Sequence, residues 1–221
     1  MSKAYDRIEW LFLRRMMQAL GFDEAWIELV MVCITSVEYK VIQDGCEVGP
    51  IVPGRGLRQG DPISPYLFIM CVEGLSSLMR KYELGGLIHG CKVARNAPMI
   101  SHLFFADDSF LFFRADMEEC SKIKEVLTIY EKASGQVINF QKSSVSFSRN
   151  IDEQKRIDIC NFFQVAGKNN HGNYLGLPSL VGKNKKAIFS FIKDKVWKRI
   201  QGWKRRMLSK AGKEILLKTV V

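Results

Sequence analysis

No apolar run in these 221 residues approaches the roughly 20 needed to cross a bilayer as a helix. Behind Met1-Ser2-Lys3-Ala4-Tyr5-Asp6 there is no secretory h-region either, so the chain reads as intracellular. Paired cysteines are missing too. Six stand singly, at 33, 46, 71, 91, 120 and 160, with no Cys-x-x-Cys and only three histidines. That excludes a recognisable zinc site or disulfide framework, and the six read as buried thiols in a reducing compartment. Repeats and low-complexity tracts are absent. Acidic residues are scarce in one place only. From Gly182 to Val221 there are thirteen Lys or Arg against Asp194 and Glu214, whereas the remainder holds 20 basic and 21 acidic residues. The whole net charge of +10 therefore resides in the last forty residues. A merely soluble face mixes signs, so such a block points to a polyanion as partner.

What is present reads as helices interleaved with short strands. Trp10, Leu13, Met16, Met17 and Leu20 recur at helical spacing over 8–20, with Gly21 as a stop. Asp23 can cap a second helix that places Trp26, Ile27, Val30 and Ile34 on one face. Val37–Gln43 and Cys46–Val52 read as strands joined by an Asp44-Gly45 turn. The loop Gly54–Pro65 carries Arg55 and Arg58, and in it Ser64 reads as the N-cap of a helix reaching about Tyr82. A loop of this kind either cradles a phosphate with backbone N–H groups and a helix end or is an ordinary capped loop. Asp116 and Glu119 open a further helix to about Ala133, stopped by Gly135. Val137–Phe140 and Val145–Phe147 read as strands flanking Lys142. Asp152–Phe163 reads as another helix, and the polar Gly167–Gly172 stretch as a domain boundary. Tyr174–Pro178 reads as a short strand or turn, followed by helices over about 185–201 and 209–221. Phe189, Ile192, Val196, Trp197 and Ile200 would form the apolar stripe of the first of these.

The chemistry-bearing stretch is His102–Phe113. Two apolar runs flank Asp107-Asp108, and the simplest geometry is a hairpin with Ala106–Ser109 at its tip. Adjacent carboxylates repel, so the pair is either a solvated turn or a site for an oxygen-seeking dication such as Mg²⁺.

Arg58-Gln59-Gly60-Asp61-Pro62-Ile63-Ser64-Pro65, Phe105-Ala106-Asp107-Asp108 and Gly135-Gln136-Val137-Ile138-Asn139-Phe140-Gln141-Lys142-Ser143 follow one another in order. In order and spacing they resemble the palm of a reverse transcriptase of the LINE-type, non-LTR retrotransposon family, most like those of plants. Lys3–Trp10 and Tyr174–Pro178 fit the same family, so the resemblance covers nearly the whole chain. It implies an α+β fold: a right-hand polymerase palm, an antiparallel sheet with packed helices, followed by a helical basic thumb. The corresponding division is 1–166 and 167–221. It further implies nucleotidyl transfer, in which a primer 3′-hydroxyl attacks the α-phosphate of a deoxynucleoside triphosphate beside two Mg²⁺ ions about 3.5–4 Å apart. Asp107 and Asp108 would be metal ligands, Asp107 the more critical. Arg58, Gln59 and Gly60 would line the incoming nucleotide, and Tyr5 would crowd the sugar 2′ side. Lys142 would protonate departing pyrophosphate. Phe105 replaces a tyrosine common in relatives, and its ring is expected to pack. An RNA template and a DNA primer are the implied partners, and the nucleus the implied setting.

One departure stands out. The family's first catalytic aspartate would precede Met1, and Asp6, following Tyr5 on a strand, would point to the opposite face from it. The expectation is therefore a chain with the fingers and endonuclease regions missing, inactive alone, with nucleic-acid binding as the alternative role.

Overall fold

The computed structural model describes residues 3–167, 173–174, 177–178, 185–204 and 209–220. They fall into two units, Met1–Gly167 and Lys168–Val221. The expected loop at 168–172 and the Leu175-Gly176 step lie outside the described residues.

In the first unit, helix α1 (Trp10–Ala19) is followed by α2 (Glu24–Thr35), whose N-cap Asp23 accepts from Ala25 N. Strands β1 (Tyr39–Gln43) and β2 (Cys46–Ile51) form a hairpin around Asp44-Gly45, both in the left-handed region as that turn requires. Helix α3 (Ser64–Leu84) is the longest of the described elements. Strands β3 (Cys91–Lys92) and β4 (Met99–Ile100) make a small ladder. Strands β5 (His102–Phe105) and β6 (Asp108–Leu111) make the hairpin that bears the aspartate pair. Helix α4 (Met117–Ser134) begins at Asp116, whose side chain accepts from Glu119 N, and ends at Gly135. Strand β7 (Ser144–Val145), helix α5 (Glu153–Phe163) and strand β8 (Ala166–Gly167) close the unit, with β7 and β8 parallel.

Helix α3 joins two apolar clusters. Its Leu67, Phe68, Cys71 and Val72 pack with Ile8, Leu13 and Met17 and with Ile27, Val30 and Ile34 of α2. Its Leu75 and Met79 pack with Ile123, Val126 and Tyr130 of α4 and with Ile159 and Phe163 of α5. Each such buried side chain contributes about 1.5–3 kcal/mol relative to exposure. Burial pushes the Cys71 thiol up to about 12, so it behaves as an inert apolar group.

Several expectations need correction. The six cysteines are not all buried: Cys33, Cys46 and Cys91 are exposed. Ser64 is not an N-cap but the first helical residue: the N-cap position is Ile63, with no side-chain cap bond, and Asp61 just before it accepts from Ile63 N at 3.1 Å. Glu119 does not reach back to its own cap. It is buried, accepts from His89 N (3.1 Å) and Arg114 N (2.9 Å), and meets His89 Nδ1 at 2.5 Å, tying the 85–89 loop to the start of α4. Val137–Phe140 is no strand. Asn139 accepts from Lys142 N through both its carbonyl (3.2 Å) and its side chain (3.0 Å), which turns the chain there. The described strands pair as five two-stranded ladders, four antiparallel and one parallel.

The second unit holds β9 (Asn173–Tyr174) paired with β10 (Leu177–Pro178), then helices α6 (Lys185–Lys204) and α7 (Lys210–Val220). On α6, Phe189, Val196 and Ile200 are half-buried, whereas Ile192 and Trp197 are exposed. Lys193, Lys195, Lys198 and Arg199 are all exposed.

Candidate functional site

Ala4–Arg7 forms a turn and not a strand, so the opposite-face argument for Tyr5 and Asp6 does not apply. The turn is held from one side by the Arg55–Gly60 loop. Leu57 N donates to the Tyr5 carbonyl (2.8 Å) and Gly56 N to that of Ile8 (2.8 Å). The Trp10 indole donates to the Gly56 carbonyl (2.7 Å), and the Gln59 amide to the Asp6 carboxylate (3.3 Å). Gly56 has φ +91°, and a Cβ there would lie 2.7 Å from the Asp6 carbonyl oxygen. Only glycine lets the two backbones approach this closely. The Tyr5 ring stacks on Phe68 of α3, with centroids 4.8 Å apart and planes at 14°.

Two clefts border this loop. One of about 550 Å³ is lined by Asp6, Tyr39, Lys40, Arg55, Arg58 and Asp61, with apolar neighbours from α2 and the β1–β2 hairpin. The other, about 330 Å³, is lined by Arg58, Gln59, Gly60, Asp61 and Pro62. Four predicted residues, Tyr5, Arg58, Gln59 and Gly60, thus belong to one neighbourhood. Asp61 accepts from Ile63 N just before α3, so a carboxylate already stands where the sequence suggests an anion site.

Asp107 and Asp108 stand at the hairpin tip, both exposed. Ala106 and Asp107 form the turn, Ala106 with φ +49°, and Asp108 pairs with Phe105. Opposite residues of an antiparallel pair share a face. Asp108 therefore lies with Phe105, and Leu103 with Phe110, on a face where Leu103 and Phe105 are 51% and 56% exposed. The expectation that Phe105 packs is corrected: it is Phe104, on the opposite face, that packs on both apolar clusters. Tyr5 packs on the first of those clusters, so the hairpin and the Tyr5 turn share a floor. Neither cleft takes in Asp107, Asp108 or Lys142. Lys142 is exposed on its own turn, which Ile138 and Phe140 anchor to the second cluster.

Mg²⁺ is commonly held by one or two carboxylates, several waters and substrate phosphates. The Asp107–Asp108 pair fits such a partial donor set. Among the described residues, no group of three or more His, Cys, Asp or Glu side chains could hold a metal ion.

The hairpin is tethered by a polar network not apparent in the sequence. Ser76 Oγ of α3 lies 2.8 Å from His102 Nε2, and Ser101 Oγ lies 3.0 Å from His102 Nδ1 while donating to Glu83 (2.6 Å). Burial, and after it the charge of Arg80, holds the His102 pKa below the ordinary imidazole value, with Glu83 and Glu73 opposing. The fold thus prefers the neutral ring, whereas an unfolded histidine takes its proton near about 6.5. The stability this contributes is complete above that value and is lost as pH falls below it. Urea midpoints are expected to drop between about pH 7 and pH 5, and to drop less in His102→Gln. Equal slopes in the two proteins would refute this.

Residues 1–179 match the family model described as reverse transcriptase (RNA-dependent DNA polymerase). An uncharacterized mitochondrial protein of Arabidopsis thaliana is 53% identical over 68 residues, 31% of this chain and 56% of that one. The transposon TX1 uncharacterized 149 kDa protein of Xenopus laevis is 29% identical over 65% of this chain and 10% of its own. A retrovirus-related Pol polyprotein from the type-1 retrotransposable element R2 of Popillia japonica is 27% identical over 63% of this chain and 22% of its own. The chain therefore spans about half the length of the first of these relatives and far less of the other two.

Proposed function

The chain belongs to the reverse transcriptase (RNA-dependent DNA polymerase) family, and from that membership we propose that it carries part of a nucleotidyl-transfer site of the non-LTR type. Tyr5 and the Arg58–Gly60 loop form its nucleotide floor, and Asp107 and Asp108 are its metal-holding carboxylates. The observation that carries this reading is the shared floor: Tyr5 and the Phe104 strand of the aspartate hairpin pack on one apolar cluster.

Each residue has a distinct task in this reading. The Gln59 amide, bonded to Asp6, fixes the loop against the Tyr5 turn, so Gly60 and Arg58 meet the triphosphate from a preset position. The Tyr5 ring, flat on Phe68, presents its edge to the sugar and excludes a 2′-hydroxyl by bulk. Mg²⁺, when bound, supplies charge that stabilises the attacking and leaving oxygens. Asp107 and Asp108 hold that charge in place at the tip of a hairpin fastened to α3 by His102. Lys142 would donate a proton to pyrophosphate, a role worth about 10²–10⁴-fold where it operates.

Two carboxylates stand at the tip with no third His, Cys, Asp or Glu grouped with them among the described residues, so little or no synthesis by these 221 residues is the expected result. One metal ligand fewer costs on the order of 10³-fold or more in rate. Primer extension on poly(rA) with Mg²⁺ is expected to give no product. Synthesis that vanishes in Asp107→Ala would overturn the inactivity and leave the site assignment standing. Water-proton relaxation with Mn²⁺ tests the site itself. The enhancement seen with the unmutated chain should be lost in the Asp107→Ala/Asp108→Ala pair, and an unchanged enhancement would remove the metal role.

A further inference from the structure

The Tyr5 turn is gripped from a second side, by the Ser134–Gln136 loop at the end of α4. Glu9 N donates to the Ser134 carbonyl (2.9 Å). Gln136, fully buried, sends its side-chain amide to the Ala4 carbonyl (3.0 Å) across 132 residues of sequence. Its Oε1 accepts from the Tyr130 hydroxyl at 2.5 Å, and Tyr130 is itself fully buried. The backbone N–H of Gln136 bonds to Ser134 Oγ (3.2 Å), which in turn donates to the Tyr130 carbonyl (2.7 Å).

The orientation of this amide is forced. Turning it over would set Oε1 against the Ala4 carbonyl oxygen, two acceptors face to face. Burial raises the Tyr130 hydroxyl well above the usual phenol range, so it stays a donor. The hydroxyl also lies 3.3 Å from the Cys71 carbonyl of α3, which orients it without competing strongly. Among the described residues, the one buried side-chain polar atom without a partner is Arg156 Nε, so every polar atom of this network is satisfied.

We infer that Gln136 is a positioning residue for Tyr5: its amide pins the Ala4 carbonyl, Tyr130 pins the amide, and the sugar-side ring is thereby held flat on Phe68. This deepens, and rests on, the reading of Tyr5 given above. The ring is fixed by three neighbours in concert. Gln136 holds the carbonyl before it, Leu57 N holds its own carbonyl, and Phe68 holds its face. Of these only Gln136 reaches it from the loop that ends α4. An apolar side chain of equal size at 136 would fill the space yet leave the Ala4 carbonyl, in a residue 7% exposed, without this donor. The turn would then relax toward another donor and carry the ring with it.

The test uses the whole chain labelled with 3-fluorotyrosine, the Tyr5 resonance being identified by Tyr5→Phe. Binding of Mg-dUTP and Mg-UTP, which differ only at the sugar 2′ position, is measured in parallel, with a primer–template duplex present. In Gln136→Leu the Tyr5 resonance should move, and the preference for the deoxynucleotide should fall about tenfold, the scale of a small misplacement of a positioning group. Tyr130→Phe keeps the packing and removes one O–H, and should shift both readouts the same way by less. It also serves should Gln136→Leu fail to fold. A Tyr5 resonance and preference unmoved in folded variants would overturn the inference and spare the nucleotide site. An unmutated chain with no preference between the two nucleotides would remove the sugar-side role of Tyr5, and the inference with it.

Discussion

Gly135→Ala is expected to cost about 3 kcal/mol and to lower the melting temperature by roughly 6–12 °C. Two separate terms add. Gly135 ends α4 in the left-handed region at φ +74°, where an L side chain costs about 1–2 kcal/mol. A Cβ would also lie 2.5 Å from the Arg7 carbonyl oxygen and 2.8 Å from Glu9 Cγ. The first of these atoms is backbone, so the clash can be relieved only by parting the Ser134–Gln136 loop from the Tyr5 turn. The opposing gain from a stiffer unfolded chain is only about 0.4–1 kcal/mol. Gly56→Ala should behave alike, since its Cβ would meet the Asp6 carbonyl oxygen at 2.7 Å and its φ is +91°. Gly54, with nothing within 4 Å of a built Cβ, is the control and should change stability by no more than about 0.5 kcal/mol. Urea melts of the three variants decide it. A Gly135→Ala protein with an unchanged midpoint would mean that the loop and the turn are not in contact.

That pair of glycines shows what the sequence discloses and what it withholds. Gly135 is legible as a helix stop, and Asp44-Gly45, Asp23 and Asp116 as a turn and two caps, because each acts on its immediate neighbours. The contact of Gly135 with Arg7 is not legible, because nothing local at either position encodes a partner so far along the chain. Gln136 fails the same way: in sequence it is one polar residue inside a motif, and its partners Tyr130 and Ala4 are found only in space. Where local pattern misled, a side chain had taken over a backbone task. Asn139 turns a segment that alternates like a strand, and Asp61 bonds Ile63 N just ahead of a helix at which Ser64 seemed the natural cap. The aspartate hairpin was placed correctly, but its two faces were not. Register sets Phe104 inward and Phe105 outward, and two adjacent phenylalanines give no sign of which faces the core.

The affinity of the whole chain for a primer–template duplex is expected to fall about 10³-fold or more between 50 and 200 mM salt. Family membership makes nucleic acid the natural polyanion, and the charge distribution says where it would bind. Lys193, Lys195, Lys198 and Arg199 are exposed within two turns of α6, with Asp194 the one acid beside them. The thirteen bases of the last forty residues have only two acids among them, so few can be neutralised internally; Lys218 and Glu214 of α7 do form a pair at 2.8 Å. Each phosphate neutralised releases counterions and adds about 0.9 to the slope of log affinity on log salt for a duplex, about 0.7 for a single strand. A variant with Lys193, Lys195, Lys198 and Arg199 all changed to Glu should therefore lose about 3–4 from that slope, besides binding more weakly. The slope discriminates where affinity alone does not. A variant that merely unravels the helix binds worse but keeps whatever phosphate contacts the remaining bases make. A variant that removes the contacts changes the count of ions released. Binding that is indifferent to salt, or a slope untouched by the four reversals, would exclude the basic segment as the nucleic-acid surface.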